Sequence, residues 1–68
     1  MFTIDASRVR ELMFTNDING VAELARQAKI NAATAAKSLR DGSRATAKVI
    51  NALARFFGVG VNELILKE

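Results

Sequence analysis

Apolar residues recur along this chain at three- and four-residue spacing almost from end to end, a pattern that predicts helix rather than strand. Val9, Leu12 and Met13 mark the inward stripe of a first helix over about Ala6–Thr15, with Asp5 placed to accept an orphan N–H of its first turn. The polar run Asn16, Asp17, Asn19 and Gly20 then breaks the chain. Val21, Leu24, Ala25 and Ala28 fall at i, i+3, i+4 and i+7 and define a second helix over about Val21–Lys29. A third, alanine-rich helix covers about Ala32–Arg40, with Asn31 as N-cap and Asp41-Gly42-Ser43 as its stop. Ala36 and Leu39 are its expected buried pair, with Ala32 or Ala35 beside them. Val49, Ile50, Leu53, Ala54 and Phe57 form the stripe of a fourth helix over about Ala45–Phe57, ended by Gly58. A short fifth helix over Val61–Leu66 carries Leu64 and Ile65. No strand is predicted. Phe2 and Ile4 alternate ahead of the first helix and read either as a short extended arm or as a lid on its stripe.

The expected fold is therefore all-α, a compact five-helix bundle. Its 68 residues, half of them apolar and a quarter charged, suit one globular domain spanning 1–68. The sequence has no Cys and no His, which excludes disulfides, thiol nucleophiles, thiolate or imidazole metal sites and His general bases. It also has no clustered carboxylates and no Gly-rich phosphate loop, so neither an enzyme nor a cofactor or small-molecule substrate is expected. No segment approaches a membrane span, and the first residues lack the pattern of a secretory signal. The expected location is the cytoplasm.

Charge changes the picture. The net +3 is small, but it is not spread evenly. Residues 26–55 hold Arg26, Lys29, Lys37, Arg40, Arg44, Lys48 and Arg55 against Asp41 alone, while both flanking segments are net acidic. A basic segment confined to the middle of the chain suits a polyanion; the bland alternative is a solvated helical face.

The spacing adds more. The second and third helices are separated only by Lys29-Ile30-Asn31, so short a connection that the two must meet at a steep angle, with Ile30 as the wedge between them. The outward face of the third helix is then Ala33, Thr34, Lys37 and Ser38, with Arg40 near its end. These side chains make a thin surface that offers hydroxyl and ammonium groups and alanine methyls, and that fits a major groove about 12 Å wide.

At this point the residues resemble a known pattern. Leu24-Ala25, Ile30-Asn31, Thr34, Leu39 and Gly42, then Leu53-Ala54-Arg55-Phe56-Phe57-Gly58-Val59 and Val61-Asn62-Glu63-Leu64-Ile65, are similar to the Cro/CI-type (XRE-like) phage repressor family of helix-turn-helix proteins. Two departures stand out. Lys29 occupies the turn where the family usually has Gly, and Ile30 to Gly42 is one residue longer than usual. Counting from Ile30 buries Ala35, whereas counting from Leu39 buries Ala36. Ala33, Thr34 and Lys37 face outward in both registers.

The resemblance implies a lambda-repressor-like DNA-binding fold with the helix-turn-helix at helices two and three. It implies a sequence-specific transcriptional regulator whose third helix enters the major groove of double-stranded DNA. Asn31, Ala33, Thr34, Lys37, Ser38 and Arg40 are then base-side or flanking contacts. Ser43, Arg44, Thr46 and Lys48 clamp the backbone downstream, and Gly20 to Ala22 meet it at the start of helix two. So few base contacts read little sequence, which favours a homodimer on a pseudo-palindromic operator. The candidate interface is Phe56, Val61, Leu64, Ile65 and Leu66. The length favours a Cro-like regulator over a repressor with a second domain. The alternative is a small helical protein-interaction module, antitoxin- or antirepressor-like, with weak or no DNA binding.

Overall fold

A computed structural model describes residues 2–40 and 44–66. Among these residues four α-helices form: α1 (Ala6–Thr15), α2 (Val21–Ala28), α3 (Ala32–Ser38) and α4 (Ala47–Phe57). Two-residue strands β1 (Phe2–Thr3) and β2 (Arg44–Ala45) pair antiparallel, and a single 3-10 turn covers Val61–Glu63. Among the described residues, no helix is long and apolar enough to cross a membrane.

Each helix begins where its cap lies. The Asp5 carboxylate accepts the Arg8 N–H at 3.2 Å, and Ala6, Val9 and Met13 turn inward from α1. The polar break after α1 hides one apolar anchor: Ile18 is buried, and its N–H donates to the Met13 carbonyl at 2.9 Å. Gly20 starts α2 at φ 116°, a backbone angle that requires glycine. From α2, Leu24 and Ala25 enter the core. Lys29 ends the helix in the left-handed conformation, at φ 61° and ψ 45°, so lysine takes the geometry for which glycine is the usual residue.

The structure selects one register for α3. Ala35 and Leu39 are buried and Ala36 is exposed, as counting from Ile30 requires; pairing Ala36 with Leu39 is therefore corrected, and Ala32 is exposed as well. The helix also stops earlier than expected, at Ser38 rather than Arg40. Its stop residues Asp41, Gly42 and Ser43 lie outside the described residues. Helix α4 begins two residues later than expected because Ala45 is taken into β2, where it is buried; Thr46 then caps the helix by accepting the Val49 N–H at 3.4 Å. Gly58 stops α4 in the left-handed region, as expected.

The largest departure is at the two ends of the described chain. The fifth helix shrinks to one 3-10 turn because the residues after it are drawn to the N-terminal arm. The Asp5 N–H donates to the Leu64 carbonyl at 2.8 Å and the Leu66 N–H to the Thr3 carbonyl at 2.9 Å, with Ile4 bridged to Ile65. The arm of Phe2 to Ile4 is thus the middle member of a three-part strap, with β2 on one side and residues 64–66 on the other. Of the two readings of Phe2 and Ile4, the extended arm is the one that forms; its two-residue partner β2 has no alternation long enough to signal itself. The core beneath is built from Ile4, Val9, Leu24, Ile50, Leu53 and Leu64.

Candidate nucleic-acid interface

The basic face is assembled by two helix starts. The Asn31 side-chain oxygen accepts the N–H groups of Ala33 and Thr34, at 2.8 and 3.2 Å, and so nucleates α3. Thr46 does the same for α4. With Ala35, Ser38 and Leu39 held inward, α3 turns Ala33, Thr34, Ala36 and Lys37 to the surface. Ser38 is corrected here: only 3% of it is exposed, because it lies one turn beyond the buried Ala35 and shares its face.

Two adjoining clefts run along this face between α3 and α4. One, of about 380 Å³, is lined by Lys29, Ile30, Asn31, Thr34, Thr46, Lys48 and Val49. The other, of about 210 Å³, is lined by Thr34, Lys37, Ser38, Arg44, Ala45, Thr46 and Val49. Thr34, Thr46 and Val49 line both, so the two clefts adjoin (together, the channel between α3 and α4). The structure therefore brings together Asn31, Thr34, Lys37, Arg44, Thr46 and Lys48, with Ser38 in the wall between the helices. Ala33 and Arg40 are exposed but line neither cleft, and Ser43 lies outside the described residues. Among the described residues the channel is lined by four cations and no carboxylate.

Lys29, singled out in the sequence only for its charge and its place in the turn, also lines this face. Its left-handed backbone places it in the same cleft as Asn31 and Lys48. The missing glycine in the turn was the available signal.

Acidic groups are engaged elsewhere. Arg8 on α1 donates to Glu11 and, at 2.9 Å, to Glu63, joining α1 to the 3-10 turn. The Arg8 hydrogen bond, assisted by the Gly60 N–H, holds the Glu63 carboxyl below the usual carboxylate range. Reciprocally, hydrogen bonds to Glu63 and then Glu11 raise the Arg8 guanidinium above its ordinary value. Glu23 accepts the Asn19 N–H at 2.8 Å and lies 3.9 Å from Arg26.

The expected subunit contact is divided by the strap. Leu64 is fully buried and belongs to the core, which corrects its place on an interface surface. Phe56, Val61 and Ile65 are half-buried against the core, Phe56 meeting Phe57 edge-on at 5.1 Å. Leu66 is exposed, as are Phe2 on the same strap and Phe14 on α1.

A family model described as the Cro/C1-type HTH DNA-binding domain matches residues 8–66. A search of curated proteins found no match. A search of solved structures found none either.

Proposed function

Because the chain belongs to the family of Cro/C1-type HTH DNA-binding domains, we propose that it is a sequence-specific transcriptional regulator, a Cro-like repressor of phage or mobile-element type. In this reading α3 lies in the major groove of a pseudo-palindromic operator. The observation that carries it is the channel between α3 and α4, whose charged lining among the described residues is all cationic and whose rim is formed by a thin, small-residue helix.

The chemistry divides the residues. Thr34 and Lys37 project from the exposed side of α3 and can meet base edges, Lys37 as a donor to guanine O6 or N7 and Thr34 through its hydroxyl or methyl. The Ala33 methyl suits a thymine methyl. The Asn31 oxygen is occupied by the cap, which leaves its NH2 group as a donor to a phosphate or base. Arg40, Ser43, Arg44, Thr46 and Lys48 are backbone partners, and Lys29 joins them from the turn. Ser38 is buried on the inner face of α3 and does not itself reach the DNA. At the start of α2, Gly20 provides no side-chain cap, so first-turn N–H groups stay open to a phosphate. Two copies associate through Phe56, Val61, Ile65 and Leu66, with Leu64 supporting that surface from inside.

Selection of binding sites from random duplex DNA, followed by a salt titration on the selected site, tests this reading. Removing one phosphate-binding side chain should make the slope of log K against log salt shallower by about 0.9. Lys37→Ala and Arg44→Ala should weaken binding while the protein stays folded. A flat salt dependence, or no retardation of any duplex, would refute it and leave a protein-interaction module.

A further inference from the structure

The exit of α3 is closed by a residue from outside the helix-turn-helix. The last carbonyls of any helix lack intrahelical partners. Here the C-cap is Leu39, with φ −93° and ψ 7°, not the left-handed residue that commonly supplies this closure. The Leu39 N–H closes the last turn on the Ala35 and Lys37 carbonyls, and the Leu39 carbonyl accepts a hydrogen bond at 2.7 Å from the Arg10 guanidinium, which reaches across from α1, 29 residues earlier. A cationic donor at the negative end of a helix is favoured both as a charge-assisted hydrogen bond and by the helix dipole.

We propose that Arg10 is a positioning residue for DNA recognition: by holding the Leu39 carbonyl it fixes the C-terminal end of α3, and with it Lys37 and Arg40. This rests on the DNA-binding reading above. Asn31 fixes one end of α3, and Ala35 and Ser38 fix its inner face. The Arg10 hydrogen bond is the tie at the other end. Its role is assigned through Leu39, whose carbonyl its guanidinium holds, and comparing operator with random duplex separates this from direct contact with DNA.

The distinction has a measurable form. A phosphate ligand contributes to any duplex, because all carry the same backbone. A residue that aims a recognition helix contributes to the selected site, where side chains must meet particular base edges, and little to random sequence. Arg10→Ala should therefore weaken binding to the selected operator about tenfold, the scale of one misaligned base contact, while affinity for random duplex changes less than about twofold. Arg10→Lys keeps a cationic donor on a flexible stem and should recover most of the loss. Should Arg10→Ala melt below the assay temperature, Arg10→Gln carries the same comparison.

Equal losses on operator and random duplex would overturn the proposal, since they would make Arg10 a backbone ligand. Unchanged operator binding with a lowered melting temperature would also overturn it, leaving only a stabilising role. Failure of the wild-type protein to retard any duplex is a different result: it removes the DNA-binding reading, and the role of Arg10 falls with it.

Discussion

Asn31 performs a structural task at a position that also faces the channel, and two substitutions separate the roles. Its side-chain oxygen accepts two backbone N–H groups at the start of a seven-residue helix. So short a helix has no stability of its own. Asn31→Ala removes the cap and should cost about 1 kcal/mol. In a domain of this size that lowers the thermal midpoint by about 4–8 °C. Asn31→Asp keeps an acceptor oxygen in the same place and puts a favourable anion at the helix start, worth about 0.3–1 kcal/mol. Its midpoint should match or exceed that of the wild type.

On DNA the order of harm should invert. The new carboxylate stands in a cleft shared with Lys29 and Lys48. Repulsion from a nearby phosphate of about 1 kcal/mol corresponds to roughly a fivefold loss of affinity, and the deficit should widen as salt is lowered. Circular dichroism melts and fluorescence anisotropy on one operator duplex measure both effects. An Asn31→Ala protein as stable as the wild type would refute the capping argument. An Asn31→Asp protein that binds DNA undiminished would refute the placement of Asn31 on the DNA side.

The other expectations are briefer. Lys29→Gly relieves a left-handed residue; strain of about 1–2 kcal/mol is partly offset by glycine's unfolded-state entropy of about 0.4–1 kcal/mol, so urea denaturation should show a net gain, while DNA affinity falls with removal of the cation. Thr34→Ala should alter the base preferences found by site selection more than it alters affinity, whereas Ser38→Ala should leave those preferences as they are. Leu66→Asp should weaken self-association in sedimentation experiments without unfolding the monomer; an unchanged dimer would reject that surface.

Glu63 supplies a pH test. Its carboxyl is depressed by Arg8 and the Gly60 N–H, so its stabilising contribution is fully present above the unfolded carboxylate value, about 4.3, and is lost as pH falls through the lower folded one. The stability difference between wild type and Glu63→Gln, followed by urea midpoints, should be constant near neutrality and shrink below about pH 4. A difference independent of pH would contradict the ion pair.

Much of the helical architecture was legible because helical periodicity and caps are local signals. Asp5, Asn31 and Gly58 each mark a boundary where the sequence pattern changes, and each acts there in the structure. The outward positions of Thr34 and Lys37 were legible for the same reason, since they survive either register. The buried side of α3 was not. In an alanine-rich helix the apolar stripe is ambiguous, and Ala35 and Ala36 differ only in what packs above them. Ser38 was misread because a polar residue can be buried when it follows a buried alanine by one turn. The extended arm of Phe2 to Ile4 was one of two readings its alternation allowed, but its partners, and the hydrogen bond from Arg10 to Leu39, were invisible because they join segments far apart in sequence.

The strap has a kinetic consequence. Helices α1 to α4 can nucleate from neighbouring residues, but Thr3 must find both Arg44 and Leu66, distant along the chain. Closing such loops is entropically costly and is rewarded only after the helices are in place. The strap should therefore form after the folding transition state, and changes in it should speed unfolding while leaving the folding rate nearly untouched. It should also open before the helices do, Ile4 and Leu64 leaving the core with it. The amides of Asp5 and Leu66 would then exchange through a partial opening that leaves α2 and α3 formed. In that state Arg44 loses its neighbour while α3 stays in place, so DNA bound across Arg44, as proposed above, should slow exchange at Leu66, at the far side of the strap.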